Sequence, residues 1–420
     1  MKKTIPVFMA LILTLTSCKA NSGNNAEVPG TDIAEKNVTE TVATPVPDPV
    51  KEILDGMTLD EKIGQLFIVS LNQDEQGNSI LAANDSIKSI MKKYKPGGII
   101  LFAENIKTIT QTSALIQDMQ EESRIPLFVA VDEEGGLVSR ITKSSEMHAT
   151  VFPNNAVIGK QGDPALAEQV AKAIASEISS LGFNMNFAPV ADVNTNPNNT
   201  VIGVRAYGSD ADLVGKMVSA AVTGIQTKPV SAVLKHFPGH GDTENDSHYG
   251  TAVVNHTKER LLNTELLPFI EGINAGADAV MTAHILTPEI PGDNLPATLK
   301  PEILTGILRN ELRFGGLIIT DALNMGAITN HYTSAEAAVK AIFAGADVLL
   351  MPKDLEAAFS GIKKAHQDGV ISTERINESV RRITETKHKR GLFGANIDTG
   401  DPEKILGCRE HRDLLKMISK

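Results

Sequence analysis

The stretch Ala275-Gly276-Ala277-Asp278-Ala279-Val280-Met281-Thr282-Ala283-His284-Ile285 decides how the rest of the chain reads. Its glycine suits the end of a helix, because a residue without a Cβ turns the backbone at little steric cost. The run after it, Ala279–Ile285, is nearly all apolar, as in a strand buried on both faces, and carries a histidine near its end. The same lead recurs as Ala344-Gly345-Ala346-Asp347 ahead of Val348–Met351. A repeated helix–glycine–strand junction accounts for both.

Six further runs extend the pattern: Ile63–Ser70, Gly97–Phe102, Pro126–Asp132, Phe183–Val193, Ala232–Phe237 and Leu317–Asp321. Helix-like stretches separate them. Thr333-Ser334-Ala335-Glu336 has the spacing of a capping box and opens one such helix over Ala337–Ala344. This alternation predicts an α/β fold, a (β/α)8 TIM-type barrel forming a single catalytic domain over residues 51–395. In that architecture the strands' C-terminal ends carry the active site. Here Asp132, Asp192, Lys235, His236, His284 and Asp321 stand at or near those ends. A doubly wound open sheet would need a glycine-rich phosphate loop after its first strand, and Ser70-Leu71-Asn72-Gln73 is not one.

Composition narrows the function. With 42% hydrophobic and 22% charged residues, the chain is that of an ordinary globular protein. Forty Lys+Arg against 51 Asp+Glu, with no basic stripe, exclude a nucleic-acid partner. Two cysteines, at 18 and 408, build neither a disulfide scaffold nor a cysteine-rich zinc site. No Trp and four Tyr leave no broad aromatic platform for a long polymer.

The N-terminus reads as an address. Met1-Lys2-Lys3 precedes the apolar Pro6–Leu15, too short to span a bilayer. Leu15-Thr16-Ser17-Cys18 resembles the bacterial lipobox. That resemblance implies a signal peptide over 1–17, lipidation of Cys18 and an extracytoplasmic, membrane-anchored lipoprotein. A plain secretory signal that happens to hold a cysteine is the alternative. Residues 18–50 are largely polar and end in alternating prolines, so they are expected to be a tether. Residues 396–420 form a C-terminal extension.

The chemistry concentrates in four segments. Lys235-His236-Phe237-Pro238-Gly239-His240-Gly241-Asp242 runs on to Asp246-Ser247-His248. Three His and two Asp suggest a metal at first, but Gly and Pro imply a loop, and no helical HExxH pattern occurs; no metal and no cofactor are expected. A solvated loop is one remaining reading. The other is acid–base chemistry, since a carboxylate two residues from an imidazole can fix its tautomer and raise its basicity. Asp321, at a strand end, is either an aimed carboxylate or a cap of the next helix. Asp132-Glu133-Glu134-Gly135-Gly136 with Arg140 is either a ligand-holding turn or a turn with a solvated acidic cluster. Arg205 supplies a planar donor and Tyr207 is a candidate stacking face, unless both lie in an ordinary surface loop.

Together with Phe187-Ala188-Pro189-Val190 and Thr320-Asp321-Ala322-Leu323-Asn324-Met325, these segments resemble glycoside hydrolase family 3, and within it the β-N-acetylglucosaminidase branch, over about residues 50–395. The resemblance implies that Asp321 is the nucleophile and His248 the acid/base, with Asp246 completing the dyad. It implies that Asp132, Arg140, Arg205, Lys235 and His236 hold the terminal sugar. His240, Asp242 and His284 fall outside those roles, as groups behind the site. The family often has Arg where Leu137 stands, and Arg140 is the better match to a sugar ligand. Gly407–Asp413 resembles the helix that often leads into a second domain; here it is expected to pack on the barrel, with Cys408 an isolated thiol. The expected function is a retaining exo-β-N-acetylglucosaminidase acting on small GlcNAc-terminated glycans, peptidoglycan fragments above all. A phosphorylase using the same site, a non-catalytic sugar-binding lipoprotein and a β-glucosidase are the rivals.

Overall fold

The computed structural model of the chain describes residues 48–74, 77–244, 252–394 and 399–418. The expected signal peptide, Cys18 and most of the tether lie outside them. Eight strands form one sheet: β1 Phe67–Ser70, β2 Gly98–Ile100, β3 Phe128–Val131, β4 Met185–Asn186, β5 Ser231–Phe237, β6 Ala279–Thr282, β7 Leu317–Ile319 and β8 Leu349–Leu350. Their spatial order is β8-β1-β2-β3-β4-β5-β6-β7, with every neighbouring pair parallel. A parallel bridge from Ile319 to Val348 joins β7 to β8. The sheet thus closes on itself with helices outside, and the chain is the expected (β/α)8 barrel. Both strand faces are buried, which is why the sequence runs apolar instead of alternating.

Seven of the eight runs are shorter as strands than they read, Ile63–Ser70 and Phe183–Val193 most of all. Ile63, Gly64 and Gln65 end the helix Leu59–Gln65, which a Thr58–Glu61 capping box starts. In the fourth run only Met185 and Asn186 form a ladder, because asparagine side chains take over its edges. Asn184 Oδ1 accepts from Val129 N at 2.8 Å, and Asn186 Oδ1 accepts from Glu133 N at 3.0 Å. Pro189 then offers no donor.

The repeated junctions have a further reason. Asp278 and Asp347 are both buried at the N-terminal end of the barrel. Asp347 meets Arg309, Arg375 and Arg382, and accepts from Ser379 Oγ at 2.7 Å and Ile318 N at 3.0 Å. Asp278 pairs with Lys389 and Arg390. Most of these partners sit on or just after the helix Thr373–Lys389, so the two motifs fasten that helix across the barrel's base. Lys387, from the same helix, is fully buried there. Its Nζ donates to Gln65 Oε1 at 2.7 Å and lies 5.0 Å from the Phe128 ring centroid. Burial pulls its pKa down to about 7.

The first of the described elements is the helix Pro49–Asp55, capped by Asp48, just inside the stretch expected as tether. At the other end, Glu177 accepts from His411 Nδ1 at 2.8 Å and Gly407 N at 3.0 Å. These bonds pin the extension to the barrel helix Pro164–Ser180.

Candidate active site

The polar residues expected at strand ends gather at the barrel's C-terminal face. Asp132 directly follows β3, Lys235 and His236 lie in β5, His284 is two residues past β6, and Asp321 is two past β7.

The turn after β3 is folded by its glycines. Gly135 and Gly136 have φ of +87° and +60°, and a Cβ on Gly136 would fall 2.1 Å from Asn154 Oδ1. That oxygen accepts from Leu137 N at 2.8 Å. Glu133 turns inward, its Oε2 accepting from Arg140 N at 2.7 Å and Ile141 N at 3.1 Å. Burial pushes Glu133 up to about 7, against the hydrogen bonds it receives. Glu133 and Glu134 are 3% and 5% exposed, so the solvated acidic cluster is excluded.

Glu134 is the hub of the site. Its carboxylate accepts from Arg205 Nε at 3.0 Å and Nη2 at 2.8 Å, and lies 2.6 Å from Lys235 Nζ. Lys235 Nζ also donates to Asp132 Oδ1 at 2.7 Å. Arg140 Nη2 is 3.6 Å from Asp132 Oδ2, and its guanidinium sits 5.6 Å from the Phe102 ring centroid. Burial alone would raise the Glu134 pKa, yet the Lys235 and Arg205 charges outweigh it and hold the carboxyl at about 2. Conversely, Arg205 is pushed above its usual range because the Glu134 charge outweighs its burial.

His236 is held from both sides. Its Nδ1 lies 2.7 Å from Asp192 Oδ2, and its Nε2 lies 3.4 Å from Arg205 Nη2. A guanidinium only donates, so Nε2 accepts and the proton sits on Nδ1, directed at Asp192. Asp192 also accepts from the backbone N of His236 and of His240. Burial raises its pKa, but His236 and its other donors prevail and the net shift is downward.

Asp321 is half-buried. Its Oδ1 accepts from Ala322 N at 2.7 Å, and its own N–H reaches Thr282 Oγ1 at 3.4 Å. The next helix is Gly326–Thr329 with Met325 at its N-cap, so the capping role considered for Asp321 is ruled out. Tyr207 is likewise corrected. It is buried, with its phenol pKa raised by that burial, and offers no open stacking face. His240 is buried against Thr243 Oγ1 at 2.8 Å, and burial lowers its pKa. Asp242 accepts from Thr195 Oγ1 at 2.7 Å. Asp246 and His248 fall within residues 245–251, outside the described residues.

Glu133 and Glu134 have no counterpart among the expected site residues, and Asp192, expected near a strand end, had no role assigned. Their one sequence signal is position: Glu133 and Glu134 sit between Asp132 and two glycines that a turn requires. As a whole, the face presents Asp132, Arg140 and Asp321 partly exposed over a buried charge network. Such an arrangement suits a ligand that offers many hydroxyls.

Residues 58–386 match the glycosyl hydrolase family 3 N-terminal domain. The chain is 37% identical over 357 residues to a beta-hexosaminidase A of Pseudoalteromonas piscicida, covering 78% of this chain and 59% of that protein. It is 36% identical over 312 residues to a beta-hexosaminidase of Stenotrophomonas maltophilia, covering 69% of this chain and 91% of that one. A solved glycoside hydrolase family 3 beta-N-acetylglucosaminidase from a Paenibacillus species is similar with a TM-score of 0.81 and 40% identity, over 86% of this chain and 68% of that one. The chain thus spans less than two thirds of the Pseudoalteromonas relative. Sequence motifs, barrel and family match agree: the chain belongs to glycosyl hydrolase family 3.

Proposed function

We propose that the protein is a retaining exo-β-N-acetylglucosaminidase that removes non-reducing terminal GlcNAc through a covalent intermediate. The observation that carries this reading is Asp321: a half-buried carboxylate at the C-terminal end of β7, with Oδ1 fixed by Ala322 N–H, on the same barrel face as Asp132, Lys235 and Arg140. The similarity to proteins named beta-hexosaminidase supports the choice of sugar.

In this mechanism Asp321 attacks the anomeric carbon. The bond from C1 to the leaving oxygen breaks as His248 gives that oxygen a proton, and Asp246 holds the imidazole. Water, losing its proton to the same imidazole, then displaces Asp321 from C1. Asp132 accepts from sugar hydroxyls, while Arg140 and Lys235 donate to sugar oxygens. Arg205 and His236, held by Glu134 and Asp192, complete the set that holds the sugar. A histidine acid departs from the usual pair of carboxylates, so the rule relating carboxylate separation to stereochemistry does not apply. The lipobox and the scarcity of aromatics favour an enzyme anchored outside the cytoplasm through Cys18 and working on short peptidoglycan fragments.

Hydrolysis of aryl glycosides differing only in the sugar, with and without phosphate, tests the reading. We expect turnover of the β-N-acetylglucosaminide, free GlcNAc as product in both buffers, and none from Asp321→Ala. Sugar-1-phosphate formed with phosphate would instead make the protein a phosphorylase, and inactivity on every sugar would leave a binding protein. His248→Ala should harm substrates with poor leaving groups more than activated aryl ones, because general-acid help of about 10²–10⁴-fold matters least where the leaving group needs no proton. Equal losses on both would remove His248 from that role.

A further inference from the structure

We infer that His284 is a positioning residue for the Asp321 nucleophile, acting through a buried chain of hydrogen bonds with Thr298 and Thr282. The inference rests on the reading of Asp321 as nucleophile given above.

β7 ends at Ile319, and two backbone bonds toward β8 flank Asp321: Thr320 N–H to Val348 O at 2.9 Å and Leu323 N–H to Leu350 O at 2.9 Å. Asp321 lies between those two bonds, and side chains from the β6 end add a second hold on it. Asp321 N–H is directed at Thr282 Oγ1, 3.4 Å away. Thr282 Oγ1 lies 2.7 Å from Thr298 Oγ1, and Thr298 Oγ1 lies 2.8 Å from His284 Nδ1. His284 Nε2 lies 3.0 Å from Ala322 O. Ala322 N–H in turn donates to the Asp321 carboxylate itself at 2.7 Å. The backbone on both sides of the nucleophile is therefore grasped by one connected group.

A neutral imidazole sets one direction for the protons along the chain. A carbonyl only accepts, so Nε2 carries the proton that Ala322 O receives. Nδ1 then accepts from the Thr298 hydroxyl, Thr298 accepts from Thr282, and Thr282 accepts from Asp321 N–H. Thr298 Oγ1 also lies 3.0 Å from Ala283 O, a second acceptor for the same hydrogen. Thr282, Thr298 and His284 are 0%, 0% and 1% exposed, so water does not substitute for any link. Both ring nitrogens point into the protein, which marks His284 as a support for Asp321 and not a contact to sugar. Displacements of about 1 Å at a reacting group cost about 10²-fold in rate, which is the scale on which such a support acts.

The test compares substitutions that keep the chain's bonding with ones that break it. His284→Gln can still donate to Ala322 O and accept from Thr298; His284→Phe cannot. Thr298→Ser keeps its hydroxyl; Thr298→Val keeps only its shape. In the full-length protein acting on an aryl β-N-acetylglucosaminide, His284→Phe is expected to lower kcat about 10²-fold and Thr298→Val about 10-fold, with KM within about twofold of wild type. His284→Gln and Thr298→Ser should recover most of that loss. The rate of covalent labelling by a fluorinated GlcNAc analogue should fall in parallel with kcat. A folded His284→Phe with wild-type kcat, equal losses in Phe and Gln, or an effect on KM alone would each overturn the inference. Should His284→Phe fail to fold, the Thr298 pair decides. An inactive Asp321→Ala beside a fully active His284→Phe would sink this inference only, whereas an active Asp321→Ala would sink the nucleophile itself.

Discussion

Glu134 shows what one residue does for the site and how little of that is written locally in the sequence. It stands in an acidic run, Asp132-Glu133-Glu134, that reads equally well as solvent-facing. What separates the three is which way the glycine turn sends each carboxylate. Asp132 stays at the rim, Glu133 turns under the loop, and Glu134 meets Lys235 and Arg205, which lie far along the chain. Removing one partner of a buried ion pair leaves uncompensated charge at a cost of about 3–5 kcal/mol. Glu134→Gln is therefore expected to lower the unfolding free energy toward that range and to raise KM, because Lys235 and Arg205 lose the carboxylate that spaces them. Denaturant melts and steady-state kinetics check both, and an unchanged melt would exclude the hub. The acid limb gives an independent readout. The carboxyl titrates at about 2 in the fold against 4.5 when unperturbed, so the unfolded chain binds more protons between those values. Its contribution is complete above pH 4.5 and is lost as pH falls toward 2, and Glu134→Gln should flatten that part of the stability curve. The residues legible from sequence, Asp132, Lys235, His236 and Asp321, were those that end a strand, where barrel geometry gives a position its meaning.

At the scale of elements, periodicity delivered the eight strands and the capping box delivered the helix Ser334–Ala344, since both are local signals. The errors came where side chains replaced backbone bonds, as Asn184 and Asn186 do beside β4, or where a cap was overlooked, as at Thr58. The function of the repeated Ala-Gly-Ala-Asp junctions was invisible because it depends on a partner helix at residues 373–389. That helix buries Ile376, Val380 and Ile383 in the core and pairs its charged residues with Asp347 and Asp278. Asp347→Asn should therefore destabilise the barrel by about 3 kcal/mol or more, since it strands Arg309, Arg375 and Arg382 beneath the sheet. Its KM should stay near wild type, because the cluster lies at the end of the barrel away from Asp321. A substantial loss of substrate affinity without loss of stability would contradict that separation of roles.

Over the whole molecule, the barrel divides its labour between a base that holds it together and a face that binds. Lys387 reports on the base. Burial depresses it to about 7 from an unperturbed 10.5, so between those pH values the unfolded chain carries a proton that the folded chain has shed. Stability should accordingly rise with pH across that window, by up to about 1.4 kcal/mol per unit from this group alone. Lys387→Met should remove that rise and leave the protein at least as stable at neutral pH, since an apolar side chain of similar length suits the Phe128 ring. Melts from pH 7 to 10 with an unaltered slope in Lys387→Met would contradict this. The binding face was legible as a fold-level consequence, polar ends on buried strands, whereas its hydrogen-bond logic needed three dimensions. The proposed reaction turns on a covalent bond at one carboxylate of that face. Incubation with a fluorinated N-acetylglucosaminide inactivator, followed by peptide mass mapping, tests it most directly. A single sugar adduct is expected on the peptide containing Asp321, absent in Asp321→Ala; an adduct on another residue, or hydrolysis with inversion and no adduct, would contradict the proposed nucleophile.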